Sequence, residues 1–136
     1  MFQTVLLPVD VAHTDEGHKT LEVALSIASP DAAIILLYVM EDIPNWTDLD
    51  LPKDFKKNSM QKARKALESI AETTDRALQV EIRTGHAYST ILKEAEEMNV
   101  DLIILASHKP GLKEYFIGSN TSKVVNHANC SVVVLR

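Results

Sequence analysis

Residues Ala32–Met40 read AAIILLYVM, nine apolar residues without a break. A spanning helix needs about 20 such residues, so this run is too short to cross a membrane. It also lacks the polar alternation of a strand with one face in water. It reads instead as a strand covered on both faces, the mark of a parallel sheet. Working outward, the same kind of run recurs at Val5-Leu6-Leu7-Pro8-Val9, Leu102-Ile103-Ile104-Leu105 and Val132-Val133-Val134-Leu135. Leu78, Val80 and Ile82 alternate with polar residues, which suits a strand with one more exposed face.

The intervals between these runs carry helical periodicity. Leu21, Ala24, Leu25 and Ala28 form one stripe, and Met60, Ala63, Leu67, Ile70 and Ala71 a second. Tyr88, Ile91, Leu92, Ala95 and Met98 form a third, and Thr121, Val124, Val125 and Ala128 a fourth. Each repeats with a period of about 3.6. The resulting βαβαβαβαβ order predicts an α/β fold, a single doubly wound five-stranded parallel sheet ordered 3-2-1-4-5. Residues 1–136 then form one domain. Strand order reverses between the first and fourth strands, and open α/β sheets bind ligands at such a reversal, beyond the carboxyl ends of the strands. The stretches after Val9 and after Ala106 are therefore the places to look for a site.

Composition narrows the function classes. With 136 residues, 46% apolar and 24% charged, the chain is long enough to bury a core without metal or disulfide staples. Its single cysteine, Cys130, excludes an internal disulfide framework and a four-cysteine zinc site. Nineteen acids against fourteen bases give a net charge of -5, which argues against a duplex nucleic acid as partner. No membrane insertion is expected. The opening MFQTVLLPVD meets a proline and an acid before a signal-peptide core develops, so a cytoplasmic location is expected and the sequons at Asn45, Asn120 and Asn129 are read as incidental. Residues 41–53, EDIPNWTDLDLPK, form a long irregular connection of the kind that often carries function.

Two segments can carry chemistry. Asp10 follows the first strand and precedes a turn; its carboxylate suits either a ribose hydroxyl or adenine amine, or the capping of local backbone NH groups. Residues 106–120 read ASHKPGLKEYFIGSN. Ser107, His108 and Lys109 bring a hydroxyl, an imidazole and a cation to the carboxyl edge of the sheet. Gly118-Ser119-Asn120-Thr121 opens the fourth helix, where free NH groups and the positive dipole end favour a phosphate, although Ser119 or Asn120 as a simple helix cap explains the same residues.

Other chemistries are missing their signatures. No GxxxxGK[ST], GxGxxG or GxSxG occurs. The third strand ends in Arg83-Thr84-Gly85, without a phospho-acceptor aspartate. His13 and His18 are five apart, off the spacing of paired zinc ligands on one helix face. Cys130 sits in apolar surroundings and reads as an inert thiol, and the cations around Met60 read as a solvated helix face. No metal site and no catalytic residue are assigned.

The opening TVLLPVD, the bridge ASHKPG and the closing GSNTSKVVNHANCSVVVLR resemble the universal stress proteins over essentially the whole chain. The resemblance implies an adenine nucleotide alpha hydrolase-like fold and binding of ATP, with Mg2+ where the nucleotide carries it. Binders in the family typically carry Gly-x2-Gly-x9-Gly-[Ser/Thr]. Here Ala106 and Lys109 occupy the first two glycine positions, eight residues separate Lys109 from Gly118, and Gly118-Ser119 closes the pattern. The ASHKP…GSN form is similar to a subgroup with ASHRP…GSN that binds ATP. By that resemblance Pro8, Val9, Asp10 and Val11 hold the adenosine and Val39 lines the adenine pocket. Ala106, Ser107, His108 and Lys109 flank the ribose and phosphates, and Gly118, Ser119, Asn120 and Thr121 receive the phosphate chain.

The last strand, residues 131–136, lies at an edge in the expected order. A bare apolar edge invites pairing, and the family pairs its final strands in a homodimer. The expected function is that of an ATP-binding universal stress protein, a regulator or sensor with at most weak ATPase activity, read by a protein partner such as a transporter. The rival expectations are a nucleotide-free dimeric interaction module, which the two replaced glycines favour, and a slow ATP hydrolase or adenylating enzyme.

Overall fold

The computed structural model describes residues 1–41, 54–107 and 118–136. The elements run β1 (Phe2–Pro8), α1 (Thr14–Ile27), β2 (Ala28–Met40), α2 (Phe55–Ala71), β3 (Gln79–Thr84), α3 (Ala87–Glu97), β4 (Leu102–Ala106), α4 (Ser119–His127) and β5 (Ser131–Leu135). All the strand pairings are parallel, and the sheet order is β3-β2-β1-β4-β5, as the alternation of periods predicts.

Side chains alternate across a strand, so an unbroken apolar run feeds two cores at once. Val5, Leu7, Ile34, Leu36, Leu102 and Ile104 pack with Leu21 and Ala24 of α1 and with Ala63, Leu67 and Ile70 of α2. Their neighbours Leu6, Ile35, Leu37, Ile103 and Leu105 pack on the other face with Ile91 and Ala95 of α3 and Val124 of α4. Two helices therefore cover each face. This is why the three inner strands tolerate no polar position in mid-run.

Besides Met98 and Ala128, which stand just past α3 and α4 as their C-caps, two details differ from the periodic reading. Ala28 belongs to strand rather than to the helical stripe: it caps α1 in an extended conformation (φ -76°, ψ 152°) and starts β2. Pro30 explains the early stop, because its ring and missing NH oppose a helix running through it. The β1–β2 register then slips, from Phe2↔Ala28 to Thr4↔Ala33. Arg76 holds the slipped segment, its Nη2 donating to the carbonyls of Ser29 at 2.6 Å and Ala32 at 2.8 Å. The second detail is Val125, which is 42% exposed, while Thr121 and Val124 are the buried residues of α4. α4 buries only this narrow stripe, and the strand that follows it, β5, is itself only half-buried over Val132–Leu135.

Short contacts fix the ends of the strands. Asp101, just before β4, accepts the Gln3 and Thr4 amides through its two carboxylate oxygens at 2.8 and 3.0 Å and returns its own NH to the Thr4 carbonyl. Gly85 leaves β3 with φ 141°, a conformation that only glycine adopts without strain, and a Cβ there would meet Thr90 Oγ1 at 2.8 Å.

Candidate functional site

A cleft of about 400 Å³ opens at the carboxyl ends of β1, β2 and β4, where the strand order reverses. Its size is that of a small-ligand pocket. β1 contributes Pro8 and then Val9 and Asp10; β2 contributes Leu37, Tyr38 and Val39, followed by Glu41; β4 contributes Leu105 and Ala106. The N-terminal turns of three helices complete the wall: His13, Glu16 and Gly17 from α1, Ala87 and Ile91 from α3, and Gly118 to Thr121 from α4.

The β1 end is held in place by the backbone. The Val9 amide donates to the Leu37 carbonyl at 2.8 Å. Asp10 Oδ1 accepts the Ala12 amide at 2.9 Å, and its carbonyl accepts the His13 amide at 2.9 Å. The capping role of Asp10 is thus observed. A carboxylate has further lone pairs, so the same side chain retains acceptor capacity toward the cleft. Gly17 permits close approach beneath it: a Cβ would lie 2.9 Å from Ile70 Cδ1 and 3.1 Å from Val9 Cγ1.

The α4 side is a helix start. Gly118 occupies the N-cap position, without a side-chain capping bond, and its carbonyl accepts the Ser122 amide at 2.9 Å. The first amides of a helix have no intrahelical acceptor, and with the dipole they favour an anion. The other charges of the cleft have the opposite sign. Asp10, Glu16 and Glu41 line it, and no lysine or arginine does so among the described residues. Glu41 Oε1 accepts the Ala87 amide at 3.3 Å, so it serves the start of α3. Burial first, and then the charges of Asp10 and Glu41, raise the Tyr38 phenol above its ordinary pKa, so it remains a neutral donor at physiological pH.

Pro8, Val9, Asp10, Val39, Ala106, Gly118, Ser119, Asn120 and Thr121 are all brought to this one cleft from positions far apart in the chain. Val11 packs against the α1–α2 core instead. The Ser107 amide donates to the Leu135 carbonyl at 2.8 Å, tying the end of β4 to β5, and neither residue is among those lining the cleft. His108 and Lys109 lie outside the described residues, as do 42–53 and the rest of 108–117. Tyr38, Glu41 and Gly17 also line the cleft, although no sequence motif marks them. Tyr38 and Glu41 flank Val39 and Met40 at the end of β2, and a lone glycine inside an amphipathic helix is a recognisable sign of close packing. No group of three potential metal ligands converges among the described residues, and no helix of the described residues is long and apolar enough to cross a membrane.

Comparison with known proteins agrees with this architecture. Residues 1–136 match the family model described as Universal stress protein family. Universal stress protein G of Escherichia coli O157:H7 is 28% identical over 145 aligned positions, with all of both chains covered. The structure of universal stress protein UspA from Lactobacillus plantarum superposes with a TM-score of 0.68 at 29% identity, covering 98% of this chain and 97% of that one. Two more distant structures share the fold. One is a universal stress protein in complex with cAMP, with a TM-score of 0.70 at 13% identity, covering 99% of this chain and 97% of that one. The other, from Archaeoglobus fulgidus, is in complex with dAMP, with a TM-score of 0.64 at 14% identity and 98% of each chain covered.

Proposed function

Because the chain belongs to the universal stress protein family, we propose that its cleft binds an adenine nucleotide, ATP above all, as a regulatory ligand. The observation that carries this reading is that one cleft of about 400 Å³ is lined both by the Asp10 turn and by the start of α4, whose N-cap residue is Gly118. The cAMP and dAMP complexes of distant relatives support the ligand class.

Adenosine enters from the β1 side. Pro8 and Val9 face the ring from one side and Val39 from the other, and Asp10 accepts from a ribose hydroxyl or the adenine amine. Val11 adds support behind this turn. The phosphates run past Ala106 and Ser107 to the amides and hydroxyls of Gly118, Ser119, Asn120 and Thr121, with His108 and Lys109 alongside. Mg2+ travels on the phosphates, whose own negative charge calls for a counter-cation. Occupancy rather than turnover is the signal, and any hydrolysis is slow. A cytoplasmic homodimer paired through the half-buried β5, residues 131–136, presents that signal to a protein partner such as a transporter.

Thermal unfolding with and without Mg-ATP tests the reading. A ligand at a hundred times its Kd adds about 2.7 kcal/mol to the native state, which lifts Tm by roughly 10 °C in a chain of this size. An unchanged Tm at millimolar nucleotide rejects it. The acidic lining favours one rival, a nucleotide-free dimeric module, and that rival gains if the unchanged Tm accompanies a dimer in sedimentation.

A further inference from the structure

Between α2 and the outer strand β3 runs an open groove of about 540 Å³ that shares no lining residue with the nucleotide cleft. Lys56, Lys57 and Arg64 line it, with Met60 and Ile82 as its apolar residues and Asp54 as its one acid. α2 concentrates cations. Lys56, Lys57, Lys62, Arg64 and Lys65 stand against Glu68 alone, in a chain whose net charge is -5. Among the described residues none of these five cations enters an ion pair. A solvated helix face accounts for cations by themselves. It does not account for an apolar-floored groove beside a strand that, among the described residues, pairs on one side only, with β2.

We propose that this groove docks an acidic, extended peptide segment of a partner protein. The segment lies alongside β3, with its carboxylates against Lys56, Lys57 and Arg64 and its apolar side chains over Met60 and Ile82. Strand addition supplies main-chain hydrogen bonds from an open edge, and alternate side chains supply specificity. Charge complementarity selects the occupant. The positive wall on a net-negative protein attracts an acidic chain and steers its approach. A duplex nucleic acid meets the repulsion of the remaining surface, and the Met60–Ile82 floor gives its phosphates nothing to pair with.

The test uses the full chain and a labelled peptide alternating glutamate with valine, followed by fluorescence anisotropy and by amide hydrogen exchange. Binding is expected to protect the β3 amides and to weaken with added salt, because charges at the groove rim are screened over about 10 Å at 0.1 M. Lys57→Glu and Arg64→Glu, both at exposed positions, are expected to weaken it by about tenfold each, whereas Lys93→Glu on α3 leaves it unchanged. A matched lysine–valine peptide is expected not to bind. The proposal is overturned if the native chain shows no salt-sensitive binding or if β3 gains no protection. It is equally overturned if Lys93→Glu weakens binding as much as the groove variants, or if duplex DNA or anionic vesicles displace the peptide at equal charge concentration. None of these readouts depends on nucleotide.

Discussion

Arg83 Nε donates to Oε1 of Glu94 at 2.8 Å, joining the outer strand β3 to a residue of α3 that is only 5% exposed. Arg83 also reaches Glu81 Oε2 at 2.9 Å. The Glu81 bond, helped by that of Glu94, holds the guanidinium above its ordinary pKa despite the burial that opposes it. Removing the cation strands a buried carboxylate. Arg83→Leu is expected to cost about 2 kcal/mol, less than the 3–5 of a fully buried pair because Arg83 is partly in water. Arg83→Leu combined with Glu94→Leu should recover most of that loss. Urea midpoints decide it: a double variant no more stable than the single one contradicts the stranded-charge account.

Asn99 ends α3 in the left-handed region at φ 54°, with the Asn99 amide on the Glu96 carbonyl and the Val100 amide on the Ala95 carbonyl. That is the Schellman arrangement, in which glycine is the usual residue. Asn99→Gly should be neutral or stabilising by up to about 1 kcal/mol, and Asn99→Val should destabilise by about 1–2 kcal/mol. Thermal or urea unfolding checks both; a stabilising valine contradicts the assignment.

Asn120 in the first turn of α4 offers a test in which helix stability and ligand binding move in opposite directions. An added carboxylate at a helix start stabilises the helix by about 0.3–1 kcal/mol, but it opposes a phosphate at the same amides. Asn120→Asp should therefore hold or raise the Tm of the free protein while reducing the ligand-induced rise. If the rise is as large as in the native chain, the phosphates do not lie at this helix start.

Burial first, and then the charge of Asp101, raises the Cys130 thiol above its ordinary pKa. Since the thiolate is the reactive form, alkylation at neutral pH should be slower in the folded protein than in urea. The sign for stability follows from linkage. An acid whose folded pKa is raised contributes stability that is complete below the unfolded pKa and is lost as pH climbs through the folded value. Cys130→Ala should flatten the alkaline limb of the stability profile. Equal alkylation rates folded and unfolded would show that the thiol is not protected.

Much of the fold was legible because its signals are local. The run from Ala32 to Met40 and the stripe through Ala63, Leu67 and Ile70 each declare a period, and hydrophobic burial enforces it. The position of the cleft follows from strand order, which places Asp10 and Gly118–Thr121 at its rim. Tyr38, Glu41 and Gly17 were not legible in the same way. Glu41 matters because α3 starts beside it, and Gly17 because Ile70 and Val9 approach it. The start of α3 and Ile70 are far from these residues in the chain.

The sequence by itself therefore determined the element order, the doubly wound sheet and the edge at which a ligand can sit. Periodicity is a property of neighbouring residues, and a buried strand or an amphipathic helix can be recognised before anything packs on it. The tertiary structure alone decided which charges meet. It set Arg83 on Glu94, Arg76 on the Ser29 and Ala32 carbonyls, and Asp101 on the Gln3 and Thr4 amides, and it gathered three carboxylates around one cleft. Hydrogen bonds and ion pairs depend on ångström distances between distant segments, and those distances exist only once the chain has closed on itself.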